Sequence, residues 1–186
     1  MTPAQRQQAA EEAAALFAAS LWFEQGIHFA CYLPCADEFD SLPLIQTIHT
    51  ANKLCYLPIL SNDRYHHLDF ALYKPGDPLT LNQYRILEPA RTDIIPLEQL
   101  DIIIVPLIAF DSNGSRLGTG GGYYDRTFEF LRDKKHASRL IGLGYEKQHT
   151  THLPAEPWDI PLNGAITEKT VYFFSSEQDK NKSLSC

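Results

Sequence analysis

The spacing of apolar residues near the start of the chain predicts a helix that covers a sheet. Thr2, Pro3 and Gln5 have the identities of an N-cap, a first helical residue and the partner in a capping box. Apolar or small side chains then recur on one side as far as Trp22, while the other side is rich in glutamine and glutamate. The side expected to face the interior carries Ala13, Leu16, Phe17, Ser20 and Leu21.

Short apolar runs bounded by glycine, proline or polar clusters predict the strands of an α/β sheet. These runs span residues 27–33, 53–60, 68–73, 101–110, 139–145, 165–166 and 171–174. Helices at 42–52 and 123–135 would connect successive strands as β-α-β units, which flank a glycine-rich loop. We therefore expect a mostly parallel open sheet with helices on both faces, in a single domain of residues 1–174 followed by a polar tail, 175–186.

Composition narrows the class of protein. The 186 residues are 44 % hydrophobic, which suffices for a core of normal size. The net charge of −7 argues against general nucleic-acid binding, which needs a broad basic face, although a small anion could be held locally. Since no apolar stretch reaches membrane-spanning length and residues 1–20 lack signal-peptide features, we expect a cytoplasmic protein without a membrane partner.

The cysteines and histidines are expected to be structural or superficial. Four cysteines are too few and too scattered for a disulfide framework, and we expect Cys31 and Cys55 to be buried thiols. Metal binding at Cys31 and Cys35 is the alternative. The adjacent His66 and His67 are expected at the surface, because neighbours on a strand point to opposite faces and do not share a metal.

Glycines are concentrated between the predicted strand at 101–110 and the predicted helix at 123–135. Five of the ten lie within nine residues: Gly114, Gly118, Gly120, Gly121 and Gly122. Such a cluster indicates backbone that adopts positive φ or approaches a ligand closely, and N–H groups at a helix start favour phosphate. Arg116 could then bind phosphate oxygens and Asp125 could hold Mg²⁺. The alternative is a tight turn in which Arg116 pairs with Asp111.

The segment 105–126, VPLIAFDSNGSRLGTGGGYYDR, closely resembles the signature of the 5-formyltetrahydrofolate cyclo-ligases, also called methenyltetrahydrofolate synthetases. The resemblance covers residues 2–174. It is supported by Tyr32-Leu-Pro with Glu38, Leu57-Pro58, Ile86-Leu-Glu-Pro89, Gln148 with Leu153-Pro154, and Asp159 before Thr167-Glu168. It implies ATP- and Mg²⁺-dependent closure of 5-formyltetrahydrofolate to 5,10-methenyltetrahydrofolate with release of ADP and phosphate. An imidate phosphate would form when the formyl oxygen attacks the γ-phosphate.

The same resemblance implies roles for individual residues. Catalytic roles would fall to Arg116 and Tyr123, and Mg²⁺ would be held by Asp125 and Asp159. ATP would be bound by Arg116, Leu117, Gly118, Thr119, Gly120, Gly121, Gly122, Tyr123 and Tyr124. The folate would contact Leu33, Glu38, Tyr84 and Tyr123. The partners would thus be the small molecules ATP and reduced folate, and we expect a monomer or a weak dimer.

The start of the chain departs from the family pattern. Family members usually begin with a helix whose lysine and arginine reach the ATP phosphates, and Arg6, the one early basic residue here, does not match those positions. Two alternatives therefore stand beside an active cyclo-ligase. One is a folate- or nucleotide-binding paralogue with weak or no turnover, and the other is an unrelated phosphotransfer enzyme with the same loop.

Overall fold

A seven-stranded sheet forms the centre of the protein in the computed structural model, which describes residues 1–35, 37–61, 66–90, 93–133 and 135–174. The strands are β1 (His28–Ala30), β2 (Leu54–Leu60), β3 (Leu68–Tyr73), β4 (Leu79–Leu81), β5 (Leu87–Pro89), β6 (Ile102–Pro106), β7 (Ala109–Asp111), β8 (Arg116–Leu117), β9 (Arg139–Leu143), β10 (His149–Thr150), β11 (Gly164–Ile166) and β12 (Val171–Phe173). The helices are α1 (Pro3–Ala18), α2 (Leu21–Gln25), α3 (Leu42–Thr50) and α4 (Tyr123–Thr127). Short 3-10 segments span Leu97–Gln99, Glu129–Arg132 and Glu146–Gln148.

The large sheet has the strand order β12-β11-β9-β6-β1-β2-β3. Strands β11, β9, β6, β1 and β2 run parallel, whereas the edge strands β12 and β3 are antiparallel to their neighbours. Strands β10, β7 and β8 form a second sheet, and β4 pairs with β5 in a third. The predicted mostly parallel α/β fold is thus confirmed.

Each face of the large sheet has its own apolar core, because alternate side chains of a strand point to opposite faces. Ile102 and Ile104 of β6 belong to a buried cluster with residues of α1, α2 and α3. Ile103 and Val105 belong to a second cluster, which includes Phe128 just after α4. Helical segments therefore cover both faces, as the sequence predicts.

Helix α1 begins at the predicted capping box, where Thr2 accepts from the backbone of Gln5 and the Gln5 side chain accepts from Thr2. The predicted continuation to Trp22 is wrong, because Ser20 begins a new helix. Its hydroxyl accepts from Phe23 N at 3.2 Å and donates to Phe17 O at 2.7 Å. The chain turns at this cap, which leaves Leu21 61 % exposed instead of buried.

The helix predicted at 123–135 is much shorter in the structure. Helix α4 ends at Thr127, whose hydroxyl accepts from Leu68 N of β3 at 2.8 Å. The next residue, Phe128, is buried against Phe70 with ring centroids 5.6 Å apart, and a 3-10 segment follows. Contact with β3 and the second core thus replaces helical continuation. The predicted tail, 175–186, lies outside the described residues, and the domain limit at 174 stays a prediction.

The order of the sheet reverses between β1 and β6, which are adjacent and parallel. From β1 the chain passes through α3 to β2 on one side, whereas β6, β9 and β11 extend the sheet on the other side. Loops that leave β1 and β6 at their carboxyl ends therefore diverge here, which is where open α/β sheets bind ligands. The first loop carries Glu38, and the second leads to the glycine-rich stretch.

Candidate functional site

The glycine-rich stretch begins as a β-hairpin of β7 and β8, which sequence reasoning treated as one strand and a loop. The buried carboxylate of Asp111 organises the turn. Its Oδ1 accepts from Asn113 N at 2.9 Å and Ser115 N at 3.0 Å, while Oδ2 accepts from Leu153 N at 2.9 Å. Burial alone would raise the pKa of this carboxyl, but the N–H donors lower the pKa below its usual value. Asp111 therefore stays ionised and is occupied by the hairpin.

The glycines divide into one hairpin residue and a loop. Gly114 lies in the hairpin turn at φ +84°, and a Cβ there would lie 2.6 Å from Leu162 O. Gly120 and Gly122 also have positive φ, at +89° and +63°. A Cβ on Gly120 would meet nothing within 4 Å, so the backbone at this point of the loop borders open space. Gly114 is thus structural, whereas the loop from Gly118 to Gly122 has room for a ligand against its backbone.

The five-residue helix α4 alters the predicted electrostatics of this loop. A macrodipole sums over aligned peptide units, so a helix of little more than one turn contributes less than the helix of residues 123–135 that the sequence predicts. Positive charge comes instead from Arg116 and Arg126. The Arg126 guanidinium lies 5.7 Å from the Tyr123 ring and donates to Gly121 O, so it reinforces the last part of the loop.

Arg116 and Asp125 form an ion pair at 2.8 Å, which closes the base of the glycine loop. Sequence reasoning offered Arg116 paired with Asp111 as the alternative, and that pairing is wrong because Asp111 serves the hairpin. The Arg116 side chain is only 6 % exposed and lies 6.0 Å from the Tyr124 ring. Its Nε is buried without a hydrogen-bond partner among the described residues. A buried guanidinium N–H without an acceptor is costly, so an acceptor at this position would stabilise the Arg116 side chain.

Asp125, one of the two predicted metal ligands, contacts the backbone directly after the other, Asp159. Oδ1 of Asp125 accepts from both Arg116 Nη2 and Ile160 N, the latter at 3.1 Å, and Asp159 immediately precedes Ile160. Asp159 Oδ2 accepts from Glu156 N at 2.8 Å. Within the described ranges, no group of three His, Cys, Asp or Glu side chains is arranged to hold a metal ion, and this includes the neighbourhood of Cys31 and Cys35.

Glu38 is half-buried in the loop that follows β1. Its Oε2 accepts from Cys35 N at 2.9 Å, which folds the side chain back onto its own loop. Burial raises the pKa of the Glu38 carboxyl, and the hydrogen bond from Cys35 opposes this shift. Burial together with the nearby Glu38 charge raises the pKa of Tyr124 well above its usual value. The Glu38 carboxyl therefore lies close enough to the start of α4 for its charge to affect the Tyr124 hydroxyl.

Tyr84 and Tyr123 meet although 39 residues separate them, with a hydrogen bond of 2.8 Å between their hydroxyl oxygens. Tyr84 lies in the turn between β4 and β5 and is 49 % exposed. Sequence reasoning missed a third member: His66 Nδ1 lies 2.9 Å from Tyr123 Oη. His66 is at the surface as predicted, but no local pattern shows that a tyrosine 57 residues later reaches it.

The remaining predicted residues complete the description. Leu33 is half-buried and packs on the core cluster beneath α1, α2 and α3. Leu117 is exposed at the end of β8, and Thr119 is exposed in the glycine loop. The structure thus groups Arg116 with Asp125, Glu38 with Tyr124, and Tyr84 with Tyr123. It also confirms that Cys31 and Cys55 are buried free thiols.

A doubly wound sheet with a glycine loop and ionisable groups near its switch point defines an α/β protein of the kind that binds phosphorylated ligands. The sequence profile of the 5-formyltetrahydrofolate cyclo-ligase family matches residues 1–168, and the chain belongs to this family. The family and enzyme class expected from the sequence are therefore confirmed.

Individual relatives agree with this assignment. A 5-formyltetrahydrofolate cyclo-ligase of Haemophilus influenzae is 41% identical over 140 residues, which cover 74% of each chain. One from Escherichia coli K12 is 36% identical over 174 residues, or 92% of this chain and 94% of the relative. The NMR structure of the 5,10-methenyltetrahydrofolate synthetase of Aquifex aeolicus has 28% identity and a TM-score of 0.78, covering 95% of this chain and 86% of that chain. No helix within the described ranges is long and apolar enough to cross a membrane.

Proposed function

We propose that this protein converts 5-formyltetrahydrofolate to 5,10-methenyltetrahydrofolate in a reaction driven by ATP, with release of ADP and phosphate. The family supports the overall reaction. The observation that carries the proposal is the meeting of two elements: the turn that contains Tyr84 and the glycine loop that ends at Tyr123, whose hydroxyl oxygens lie 2.8 Å apart. One can hold a folate and the other a triphosphate.

The glycine loop is proposed to bind the ATP phosphates through its backbone N–H groups, from Gly118 to Gly122. The open space at Gly120 supports this role, because phosphate oxygens must approach the backbone closely. Arg116 would supply fixed positive charge beneath the loop. Its buried, unpartnered Nε–H is the donor that a phosphate oxygen would satisfy. Leu117, Thr119, Tyr123 and Tyr124 complete the proposed ATP site.

Mg²⁺ is proposed to bind at Asp125 and Asp159. Mg²⁺ usually keeps several water ligands and takes one or two carboxylates together with substrate phosphates, so a three-residue protein cluster is not required. The contacts of Asp125 with Arg116 and Ile160 both use Oδ1, and Oδ2 has no hydrogen bond from the described residues. When bound, the ion would neutralise negative charge on the transferred phosphate.

The folate is proposed to lie against Leu33, Glu38, Tyr84 and Tyr123. Glu38 Oε2 accepts from Cys35 N, and the carboxylate can also accept hydrogen bonds from the pterin. Tyr123 follows the phosphate-binding loop directly and reaches Tyr84, so it would lie where the two substrates meet. In this arrangement the formyl oxygen would attack the γ-phosphate, and the neighbouring folate nitrogen would then displace phosphate from the imidate carbon.

Absorbance of methenyltetrahydrofolate tests the proposal directly. Purified protein mixed with 5-formyltetrahydrofolate, ATP and Mg²⁺ should produce it, with one ADP per product, and a chelator should stop the reaction until Mg²⁺ is restored. A variant and its matched control test the folate side of the proposed site. Glu38→Gln should raise KM for the folate by about tenfold or more because a charged hydrogen bond is lost. The surface change Glu129→Gln should leave all constants unaltered.

Calorimetry separates turnover from binding alone. Heat of folate or ATP binding without product at high enzyme concentration would contradict the proposed reaction and favour the binding paralogue. ATP hydrolysis that does not depend on folate would favour a different phosphotransfer reaction.

A further inference from the structure

Three side chains from separate segments form a continuous hydrogen-bonded chain beside the glycine loop. Tyr123 Oη lies 2.8 Å from Tyr84 Oη and 2.9 Å from His66 Nδ1. The imidazole meets the Tyr123 ring edge-on, with the centroids 5.4 Å apart and the planes at 82°. The Tyr123 hydroxyl therefore connects a residue proposed to contact folate with an exposed imidazole.

Each hydroxyl carries one proton, so this chain has two possible directions. If Nδ1 of His66 is unprotonated, Tyr84 donates to Tyr123 and Tyr123 donates to His66. If Nδ1 carries hydrogen, both bonds reverse. In the first of these directions, the chain can move one proton from Tyr123 to the imidazole.

The turn that carries Tyr84 is held in place independently of any ligand. Asn82 Oδ1 accepts from Tyr84 N at 2.9 Å, and Asn82 Nδ2 donates to Glu88 Oε2 at 3.1 Å. The same carboxylate oxygen accepts from Leu60 N of β2 at 3.2 Å. These contacts fix the Tyr84 hydroxyl relative to the large sheet, so the chain of hydroxyls is preorganised.

The proposed reaction needs a proton acceptor. Ring closure forms a bond between the neighbouring folate nitrogen and the imidate carbon, and that nitrogen carries a hydrogen which must leave. The proposed function gives the site carboxylates other partners, with Glu38 bound to the folate and Asp125 bound to Mg²⁺ and Arg116. His66 is exposed and can release a proton to water.

We propose that His66 accepts, through the hydroxyl of Tyr123, the proton released in ring closure. This rests on the proposed function. As the N–H bond breaks, its electron pair supplies the new C–N bond, and the C–O bond to the phosphate breaks so that phosphate leaves with that bond's electrons. The nitrogen proton passes to Tyr123 Oη while the Tyr123 proton passes to His66 Nδ1. The resulting imidazolium then returns its proton to water.

Variants at His66 separate proton acceptance from hydrogen bonding. The residue has φ +58°, a conformation that asparagine and glycine tolerate, so both replacements suit the backbone. His66→Asn keeps a polar atom near the position of Nδ1 but cannot take up the proton. His66→Gly leaves a space that added imidazole can enter. Tyr84→Phe serves as the comparison, because it weakens the chain without removing the base.

Single-turnover formation of methenyltetrahydrofolate should slow by about tenfold to a hundredfold in both His66 variants. Thermal unfolding, and the binding of ATP and folate, should match the wild type. Imidazole added at increasing concentration should restore His66→Gly and should not restore Tyr84→Phe.

Full activity of His66→Asn, or a His66→Gly defect that imidazole does not relieve, would overturn the proposed role. If the wild type is active, either of these two results would be compatible with the proposed cyclo-ligase reaction. A wild type that binds folate and ATP without turnover would instead overturn the proposed function, and the role of His66 with it.

Discussion

The buried carboxylate of Asp111 provides the sharpest test of how the glycine loop is supported. In Asp111→Asn, the amide oxygen can still accept hydrogen bonds from Asn113 N and Ser115 N. Its NH₂ group must then face Leu153 N–H, which the second carboxylate oxygen accepts at 2.9 Å in the wild type. One charge-assisted hydrogen bond is replaced by two opposed donors in a buried site.

The expected cost is about 2–3 kcal/mol, since a hydrogen bond to a charged group contributes about 1.5–3 kcal/mol and a buried donor without an acceptor is penalised further. For a chain of this size that loss lowers Tm by about 4–12 °C. Urea unfolding at neutral pH measures the free energy directly. Asp133→Asn, at an exposed position, is the control and should stay within about 0.5 kcal/mol of the wild type.

The pH dependence of the same pair of proteins tests the electrostatic origin of the effect. The pKa of Asp111 is lower in the folded protein, so its contribution is complete above the unfolded value of about 3.9 and is lost as pH falls through the folded value. Asparagine does not titrate. The stability difference should therefore shrink as the pH falls below about 4. A difference that is negligible at pH 7, or that stays constant into acid, would refute this account.

Three further changes test other contacts. Gly121→Val should abolish turnover and leave the fold intact, because Gly121 lies on the loop proposed to bind phosphate. A Cβ there would lie 3.1 Å from the Tyr123 ring. A folded variant that is still active would contradict this prediction. Asp125→Ala should lower kcat by about a hundredfold or more and destabilise the protein by about 3 kcal/mol, since it leaves Arg116 buried and unpaired. Ser20→Ala should cost about 1 kcal/mol in urea unfolding through loss of the α2 cap, and an unchanged midpoint would show that the cap is dispensable.

Much of the fold could be predicted because the signals are local. The capping box at Thr2 and Gln5 involves residues three apart, and buried strands such as β6 are continuous apolar runs. The glycine-rich motif is likewise contiguous, so its place at the carboxyl edge of a parallel sheet followed from the order of elements.

The ends of two helices were not predicted, because a cap decided one end and tertiary contacts decided the other. Ser20 reads as part of a helical face, yet its hydroxyl caps a new helix against Phe23. Thr127 and Phe128 fit a continuing helix, yet bonding to Leu68 and packing on Phe70 end it. Helix propensity differs between residues by only about a few tenths of a kcal/mol. In both cases the capping or tertiary contact is stronger than this preference, so the helix ends.

The sequence by itself determined the family and the alternation of strands and helices, and it predicted most residues of the candidate site. Only the tertiary structure decided how those residues pair. Arg116 had two candidate carboxylates nearby, and the hairpin assigned Asp111 to backbone N–H groups and left Asp125 to the guanidinium. His66 reaches Tyr123 because it lies just before the start of β3, where Leu68 N donates to Thr127 at the end of α4. Side-chain partners depend on distances across the fold, and periodicity along a chain does not encode those distances.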